Sequence, residues 1–129
     1  MKAGKEHQVP LSARAMQILR QQRQYANGSP FIFTGYNKTR FADTGMLWVL
    51  RHMEINATIH GFRSTFRDYC GDKTSFQREH VEECLAHRVG SSVELAYRRS
   101  DALEERSVIL QAWASYVNGD ASRAQREAA

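Results

Sequence analysis

The stretch Thr58–Cys70 reads Thr-Ile-His-Gly-Phe-Arg-Ser-Thr-Phe-Arg-Asp-Tyr-Cys. Its apolar residues recur every three or four positions, the spacing that brings side chains onto one face of an α-helix. A polar stripe runs beside that face, with His60, Arg63 and Arg67 at offsets of three and seven. The stretch therefore predicts an amphipathic helix over about 58–70, whose apolar face comprises Ile59, Phe62, Phe66 and Cys70.

Helical signals also dominate the sequence before this stretch. Ser12 can cap a helix over about 13–26, which Asn27-Gly28 ends. Asp43 can cap a second helix, which carries Met46, Val49, Leu50 and Met53 on one side.

Three further helix starts follow the stretch, each with a capping residue and a Glu or Gln three positions later. The pairs are Thr74 with Gln77, Ser91 with Glu94, and Asp101 with Glu104. The first pair predicts a helix to about Arg88, and the second a short helix that carries Tyr97. The third opens a last helix, whose apolar stripe comprises Ile109, Trp113 and Tyr116, with Leu110 and Val117 beside it.

The amount of β-structure expected is small. Residues 1–10 predict a turn and a strand that ends at Val9-Pro10, and Phe31-Ile32-Phe33 a strand or an extended segment. The expected fold is mainly α with a small β-hairpin or edge strand. Residues 1–117 are expected to form one domain, followed by a mobile tail at 118–129 that lacks large apolar side chains.

The composition is typical of a globular chain, with 42% hydrophobic and 10% aromatic residues among 129. No apolar run reaches the roughly 18 residues of a membrane-spanning helix, and residues 1–7 lead into no apolar signal segment. Two cysteines, Cys70 and Cys84, provide no disulfide framework. These features predict a cytoplasmic protein with no membrane contact.

Positive charge is concentrated in the first half. Residues 1–70 contain ten Lys and Arg against four Asp and Glu, whereas residues 71–129 contain eight against ten. Arg outnumbers Lys fourteen to four, and its planar fork suits phosphate oxygens. A basic half is typical of nucleic-acid binding, but a merely solvated surface explains these counts equally well.

Three motifs occur in order along the chain. His60-Gly61-Phe62-Arg63 comes first, and Leu85-Ala86-His87-Arg88-Val89-Gly90 follows it. Tyr97 lies ten residues after His87. In this order and spacing the chain resembles the tyrosine recombinases, particularly the integrases of temperate phages and genomic islands. Lys2 lies where the hairpin lysine of that family falls, so the resemblance implies the C-terminal part of a tyrosine-recombinase catalytic domain.

These residue types suit the cleavage of a phosphodiester, during which negative charge builds up on the non-bridging oxygens. The resemblance implies that Arg63 and His87 donate hydrogen bonds to those oxygens. It implies that Tyr97 is the nucleophile with His60 as its base, since a free tyrosine has a pKa near ~10. It makes Lys2 the general acid that protonates the leaving 5′ oxygen.

The resulting 3′-phosphotyrosyl link keeps the energy of the broken bond, so rejoining needs no ATP, metal or other cofactor. Arg67 either contacts the DNA backbone or flanks the site, and flanking is the favoured interpretation. The implied partners are double-stranded attachment-site DNA and other integrase protomers in a tetrameric synapse, with possible excision or host architectural factors. The implied process is integration or excision of a prophage or genomic island in a bacterial cytoplasm.

One family feature has no counterpart in this chain. The first-motif arginine belongs more than twenty residues before Lys2, so no residue here matches it. The chain by itself is therefore expected to be nearly inactive in strand exchange. It is also expected to expose apolar surface. A non-catalytic DNA-binding or interaction domain of this fold remains an alternative, and a type IB topoisomerase is a less favoured one.

A competing interpretation concerns zinc. His80, Cys84 and His87 have the spacing i, i+4 and i+7, which places three potential ligands on one face of a single helix. No fourth ligand is evident, and Cys84 suits a small buried apolar position better than a ligand position. A metal site is therefore not expected.

Overall fold

The computed structural model describes residues 6–42, 44–87 and 102–119. Within these residues, the helices are α1 (Ala13–Tyr25), α2 (Gly45–His52), α3 (Gly61–Lys73), α4 (Arg78–Cys84) and α5 (Leu103–Asn118). The chain divides into two compact units, one of residues 1–12 with 66–129 and the other of residues 13–65. The mainly helical fold class expected from the sequence is confirmed.

The β-structure is smaller than expected. In the described residues it amounts to one isolated antiparallel bridge between Thr34 and Arg40. Phe31-Ile32-Phe33 forms a bent segment beside that bridge rather than a strand. The prediction of a strand that ends at Val9-Pro10 is wrong for residues 6–10. These residues form no strand, because no neighbouring strand pairs with them in the described part of the chain.

The unit of residues 13–65 begins with α1, whose bounds agree with the prediction to within one residue. The helix runs into a turn in which Asn27 has φ 46° and Gly28 has φ 82°, left-handed values that suit these two residue types. The buried Ser29 then holds the following loop. Its hydroxyl donates to the Lys38 carbonyl at 3.1 Å and accepts from the Phe31 N–H at 3.2 Å.

Helix α2 begins at Gly45, where an added Cβ would lie 2.6 Å from the Phe41 ring. The residue before it, Thr44, makes no side-chain capping bond, and the expected cap Asp43 lies outside the described residues. Of the four apolar residues expected on one side of this helix, only Leu50 is buried. Large apolar side chains are exposed along it, namely Met46, Trp48, Val49 and Met53.

Helix α3 begins and ends three residues later than predicted. At its start, the Thr58 hydroxyl and carbonyl both accept from the Gly61 N–H at 3.0 Å, so 58–60 form a capping turn. At its end, the Thr74 hydroxyl donates to the Cys70 carbonyl at 2.6 Å, so the helix continues past Cys70. The predicted capping box of Thr74 and Gln77 is therefore wrong, because Thr74 ends α3, and Gln77 precedes α4 without a side-chain capping bond.

Helix α4 ends at Cys84, four residues before the predicted end at Arg88. Ala86 adopts a left-handed φ of 56°. Its N–H donates to the Glu83 carbonyl at 3.0 Å, and the His87 N–H donates to the Glu82 carbonyl at 2.9 Å. These two bonds define a Schellman motif, in which a left-handed residue reverses the chain and satisfies the last carbonyls of a helix.

The core of the unit that contains residues 66–87 and 102–119 is shared by α3, α4 and α5. Its buried residues are Phe66, Cys70, Val81, Leu85 and Ile109. Ile109 is only 1% exposed, and burying such a side chain contributes roughly 1.5–3 kcal/mol. Trp113 extends this core with an edge-on contact to Phe66, their ring centroids 5.7 Å apart. The predicted stripe on the last helix is thus confirmed as a packing surface, although Tyr116 is half exposed.

The side chain of Arg106 binds residues 7 and 8 to this unit. Arg106, on α5, is 3% exposed and donates to the Gln8 carbonyl. The same guanidinium lies 3.4 Å from Nε2 of His7. A buried guanidinium thus takes the place of a strand partner in holding the segment.

Candidate active site

A buried carboxylate forms the centre of the candidate site. Glu82 is 6% exposed and lies on α4 between two core residues, Val81 and Leu85. Its Oε1 lies 2.9 Å from Nε of Arg67, and its Oε2 lies 2.6 Å from Nδ1 of His87. A carboxylate is tolerated at such a position only when charged or hydrogen-bonding partners replace its lost hydration, and here each oxygen has one.

These contacts keep Glu82 ionised. The hydrogen bond from His87 is the largest influence and lowers the pKa of this carboxyl, burial opposes it, and the nearby Arg67 lowers the pKa further. The net effect is a pKa below the ordinary glutamate value. An ionised carboxylate can only accept hydrogen bonds, so Nδ1 of His87 carries the hydrogen between the two groups.

His87 is attached to Glu82 twice. The Schellman turn gives it a backbone bond to the Glu82 carbonyl at 2.9 Å, and its ring is held by the carboxylate of the same residue. Its side chain is nevertheless 46% exposed. The ring therefore has a defined orientation and remains accessible to a ligand.

Arg67 reaches the carboxylate from α3, fifteen residues earlier in the chain. Its side chain is 49% exposed, so pairing with Glu82 leaves it partly accessible to solvent. The Coulomb energy of such an exposed cation is screened by water, and its main structural effect is to fix one oxygen of the buried carboxylate. This geometry is compatible with both interpretations of Arg67 from the sequence, a contact to the DNA backbone and a position that only flanks the site.

His60 and Arg63 lie at the N-terminal end of α3, in the other compact unit. The Arg63 N–H donates to the His60 carbonyl at 3.1 Å in the first turn. The His60 side chain is exposed, and that of Arg63 is half-buried. The remaining two predicted site residues, Lys2 and Tyr97, lie outside the described residues.

Among the predicted site residues, the structure thus brings Arg67 and His87 together on one carboxylate. Glu82, which joins them, was not predicted from the sequence. A weak signal did exist, because two acidic residues, Glu82 and Glu83, stand between the apolar Val81 and Leu85, which lie four positions apart and both belong to the core. An ionisable residue at a core position usually has a specific partner.

The structure removes the geometric basis of the alternative zinc site. His80 and Cys84 lie on α4, but His87 follows the helix end, so the three do not share one helical face. Cys84 is partly buried, and burial is the largest influence that raises the pKa of its thiol. Among the described residues, no group of three His, Cys, Asp or Glu is arranged to hold a metal ion.

Several curated proteins are similar to the chain over nearly its whole length. The integrase of Enterobacteria phage P4 is 31% identical over 125 residues, which cover 92% of the chain and 28% of that integrase. The prophage integrase IntA of Escherichia coli strain K12 is 31% identical over 121 residues, covering 91% of the chain and 29% of that protein. The putative protein IntB of the same strain is 30% identical over 124 residues, covering 91% and 31%.

The chain therefore spans less than a third of the length of these relatives. No protein-family model matches it, and no solved structure matches it significantly. In the described residues, no helix is long and apolar enough to cross a membrane.

Proposed function

Because the chain is a relative of the phage and prophage integrases, we propose that it is the segment of a site-specific DNA recombinase that carries the attacking tyrosine. The recombinase would integrate or excise a prophage or genomic island through a 3′-phosphotyrosyl intermediate. The observation that carries the proposal is the similarity to integrases over 92% of the chain. The accessible, oriented ring of His87 supports it, since a charged imidazole can donate a hydrogen bond to a phosphate oxygen.

In the proposed cleavage step, the Tyr97 hydroxyl oxygen attacks the scissile phosphorus, and its proton passes to His60. The bond from phosphorus to the 5′ oxygen breaks, and Lys2 gives that oxygen a proton. Arg63 and His87 donate hydrogen bonds to the non-bridging oxygens, where negative charge accumulates. A 5′ hydroxyl of another strand then attacks the phosphotyrosine, releases Tyr97 and restores the phosphodiester.

The partners of the complete protein are likewise proposed. They are double-stranded attachment-site DNA and further protomers of the same integrase, with excision or host architectural factors in some reactions. Strand exchange by this chain alone is proposed to be weak, since no residue in it matches the first-motif arginine. Part of the positive charge that stabilises the transition state must then come from elsewhere in the complete protein.

The test is covalent capture of DNA by the full-length protein that contains this segment. The substrate is a nicked duplex that carries the junction flanking the integrated element, so that a cleaved end diffuses away and the adduct accumulates. A protein–DNA adduct stable in denaturing gels is expected for the wild type and for Tyr116→Phe, since Tyr116 is a half-exposed tyrosine of α5. Tyr97→Phe is expected to form none.

The outcomes separate the alternatives. An adduct that persists in Tyr97→Phe would show that another residue is the nucleophile. Sequence-specific DNA binding without any wild-type adduct would favour the non-catalytic DNA-binding alternative.

A further inference from the structure

Buried Glu82 and its two partners carry an inference that the sequence motifs do not contain. We propose that Glu82 is a positioning residue of the recombination site, which fixes the ring orientation and the tautomer of His87. The inference rests on the proposed function, because it assigns to Glu82 a role in the phosphate contact of His87. Glu82 itself need not touch DNA, since its side chain is only 7% exposed.

The first argument is geometric. His87 is bonded to Glu82 through its backbone N–H at 2.9 Å and through its ring Nδ1 at 2.6 Å. These two attachments restrict rotation of the ring. Glu82 is itself immobilised, because Arg67 holds its other oxygen at 2.9 Å, and because it is flanked by the core residues Val81, on α4, and Leu85, directly after α4. The orientation of His87 is therefore determined by the core of this unit rather than by DNA.

The second argument concerns the hydrogen on the ring. An ionised carboxylate accepts only, so the hydrogen between Glu82 and His87 must reside on Nδ1. Nε2, on the opposite edge of the ring, then accepts when the ring is neutral and donates when the ring is charged. A phosphate oxygen also only accepts, so Nε2 can bind it only when the ring carries both hydrogens and is positively charged. The carboxylate of Glu82 on Nδ1 compensates that positive charge. An analogous carboxylate orients the catalytic histidine of serine proteases, a comparison that concerns chemistry alone.

The third argument concerns where the charges lie. The negative group is 7% exposed, whereas the side chains of its two partners, Arg67 and His87, are 49% and 46% exposed. The cluster therefore presents its basic groups to solvent and keeps its carboxylate beneath them. With His87 protonated, the cluster has one more positive than negative charge, which suits a singly charged phosphodiester.

The test reads the tautomer directly. In the full-length protein, ¹⁵N labelling of the histidine rings and NMR at a pH where the rings are neutral identify which nitrogen carries the hydrogen, with His87→Gln assigning the signals. The wild type is expected to show hydrogen on Nδ1. Glu82→Leu should give a mixture of tautomers, whereas Glu82→Gln should keep Nδ1–H, because its amide oxygen can still accept.

The second readout is the single-turnover rate of adduct formation at saturating DNA. Glu82→Gln is expected to lower it about 10-fold and Glu82→Leu about 100-fold, by analogy with the loss on removing a carboxylate that orients a metal-ligating histidine. Glu79→Gln, which removes another carboxylate of α4, should match the wild type in rate and in tautomer. DNA affinity should change less than the rate in the Glu82 variants.

Hydrogen on Nε2 in the wild type, or a tautomer unchanged in Glu82→Leu, would overturn the inference. A slower rate with an unchanged tautomer would likewise do so, because it would indicate a purely structural role. The tautomer is measured without DNA, so it shows whether Glu82 holds the hydrogen on Nδ1 of His87 even if the wild type forms no adduct. Failure of the wild type to form an adduct would refute the proposed function without affecting this inference.

Discussion

Replacing Ala86 with glycine should stabilise the chain by about 0.5–1 kcal/mol, although the substitution removes a methyl group. Ala86 has φ 56°, a left-handed conformation that costs an L-residue roughly 1–2 kcal/mol and costs glycine almost nothing. Glycine also has more freedom in the unfolded chain, which offsets about 0.4–1 kcal/mol of the gain. The methyl group itself contributes little packing, since Ala86 is exposed.

Urea unfolding of the 129-residue chain, followed by far-ultraviolet circular dichroism, measures this difference. The expected gain multiplies the folding equilibrium constant by roughly 2–5 at room temperature, with an unchanged dependence on urea. Ala114→Gly in the interior of α5 is the matched control, because the same change there should destabilise by about 1 kcal/mol. Equal destabilisation by both substitutions would refute the left-handed turn and the Schellman motif that depends on it.

Three further outcomes are expected. Ile109→Ala should destabilise the chain by about 2–5 kcal/mol in urea unfolding, because it opens a cavity at a residue 1% exposed, whereas Val108→Ala at a 60% exposed site should cost less than about 0.5 kcal/mol. Because the pKa of Glu82 is lowered on folding, its contribution to stability is present above its unfolded value near ~4.3 and is lost as pH falls through the folded value. Unfolding free energies measured from neutral pH downwards should therefore fall less steeply in Glu82→Gln than in the wild type. Arg106→Met should cost roughly 1–3 kcal/mol in the same assay and release residues 6–12 to proteolysis, since it leaves the Gln8 carbonyl without its buried donor; unchanged stability would show that this contact contributes nothing.

The positions of helices and of the core followed from local periodicity. Burial of one helix face leaves a three- and four-residue pattern in the sequence, and this pattern identified the buried Phe66 and Cys70 of α3 and Ile109 of α5. Helix α1, which has no buried residue, was predicted instead from its start and stop residues. The same pattern included Phe62, which is 51% exposed. Periodicity shows which face is apolar, but the extent of burial depends on which other element covers each turn of that face.

Helix ends were harder to predict because hydroxyl side chains act in two ways. Thr58 accepts from the backbone and begins a helix, whereas Thr74 donates to the backbone and ends one. In the sequence, Thr74 was predicted to start a helix and Thr58 to lie within the first turn of one, so neither role was identified. Glu82 was missed for a different reason, since its pairing with Arg67 joins residues fifteen apart on two helices and leaves no local spacing signal.

The end of α4 determines which side chains lie beside His87. Had the helix continued to Arg88, the spacing would have placed His87 on one face with His80 and Cys84, a face suited to a soft metal ion. The left-handed Ala86 instead ends the helix and returns the chain so that His87 contacts the carboxylate of Glu82. A ring held by a carboxylate on one nitrogen and accessible to solvent is suited to binding an anion through its charged form. The backbone conformation of Ala86 thus removes His87 from the helix face that carries His80 and Cys84 and brings it to Glu82, and for this reason the turn at Ala86 and the tautomer of His87 should be tested together.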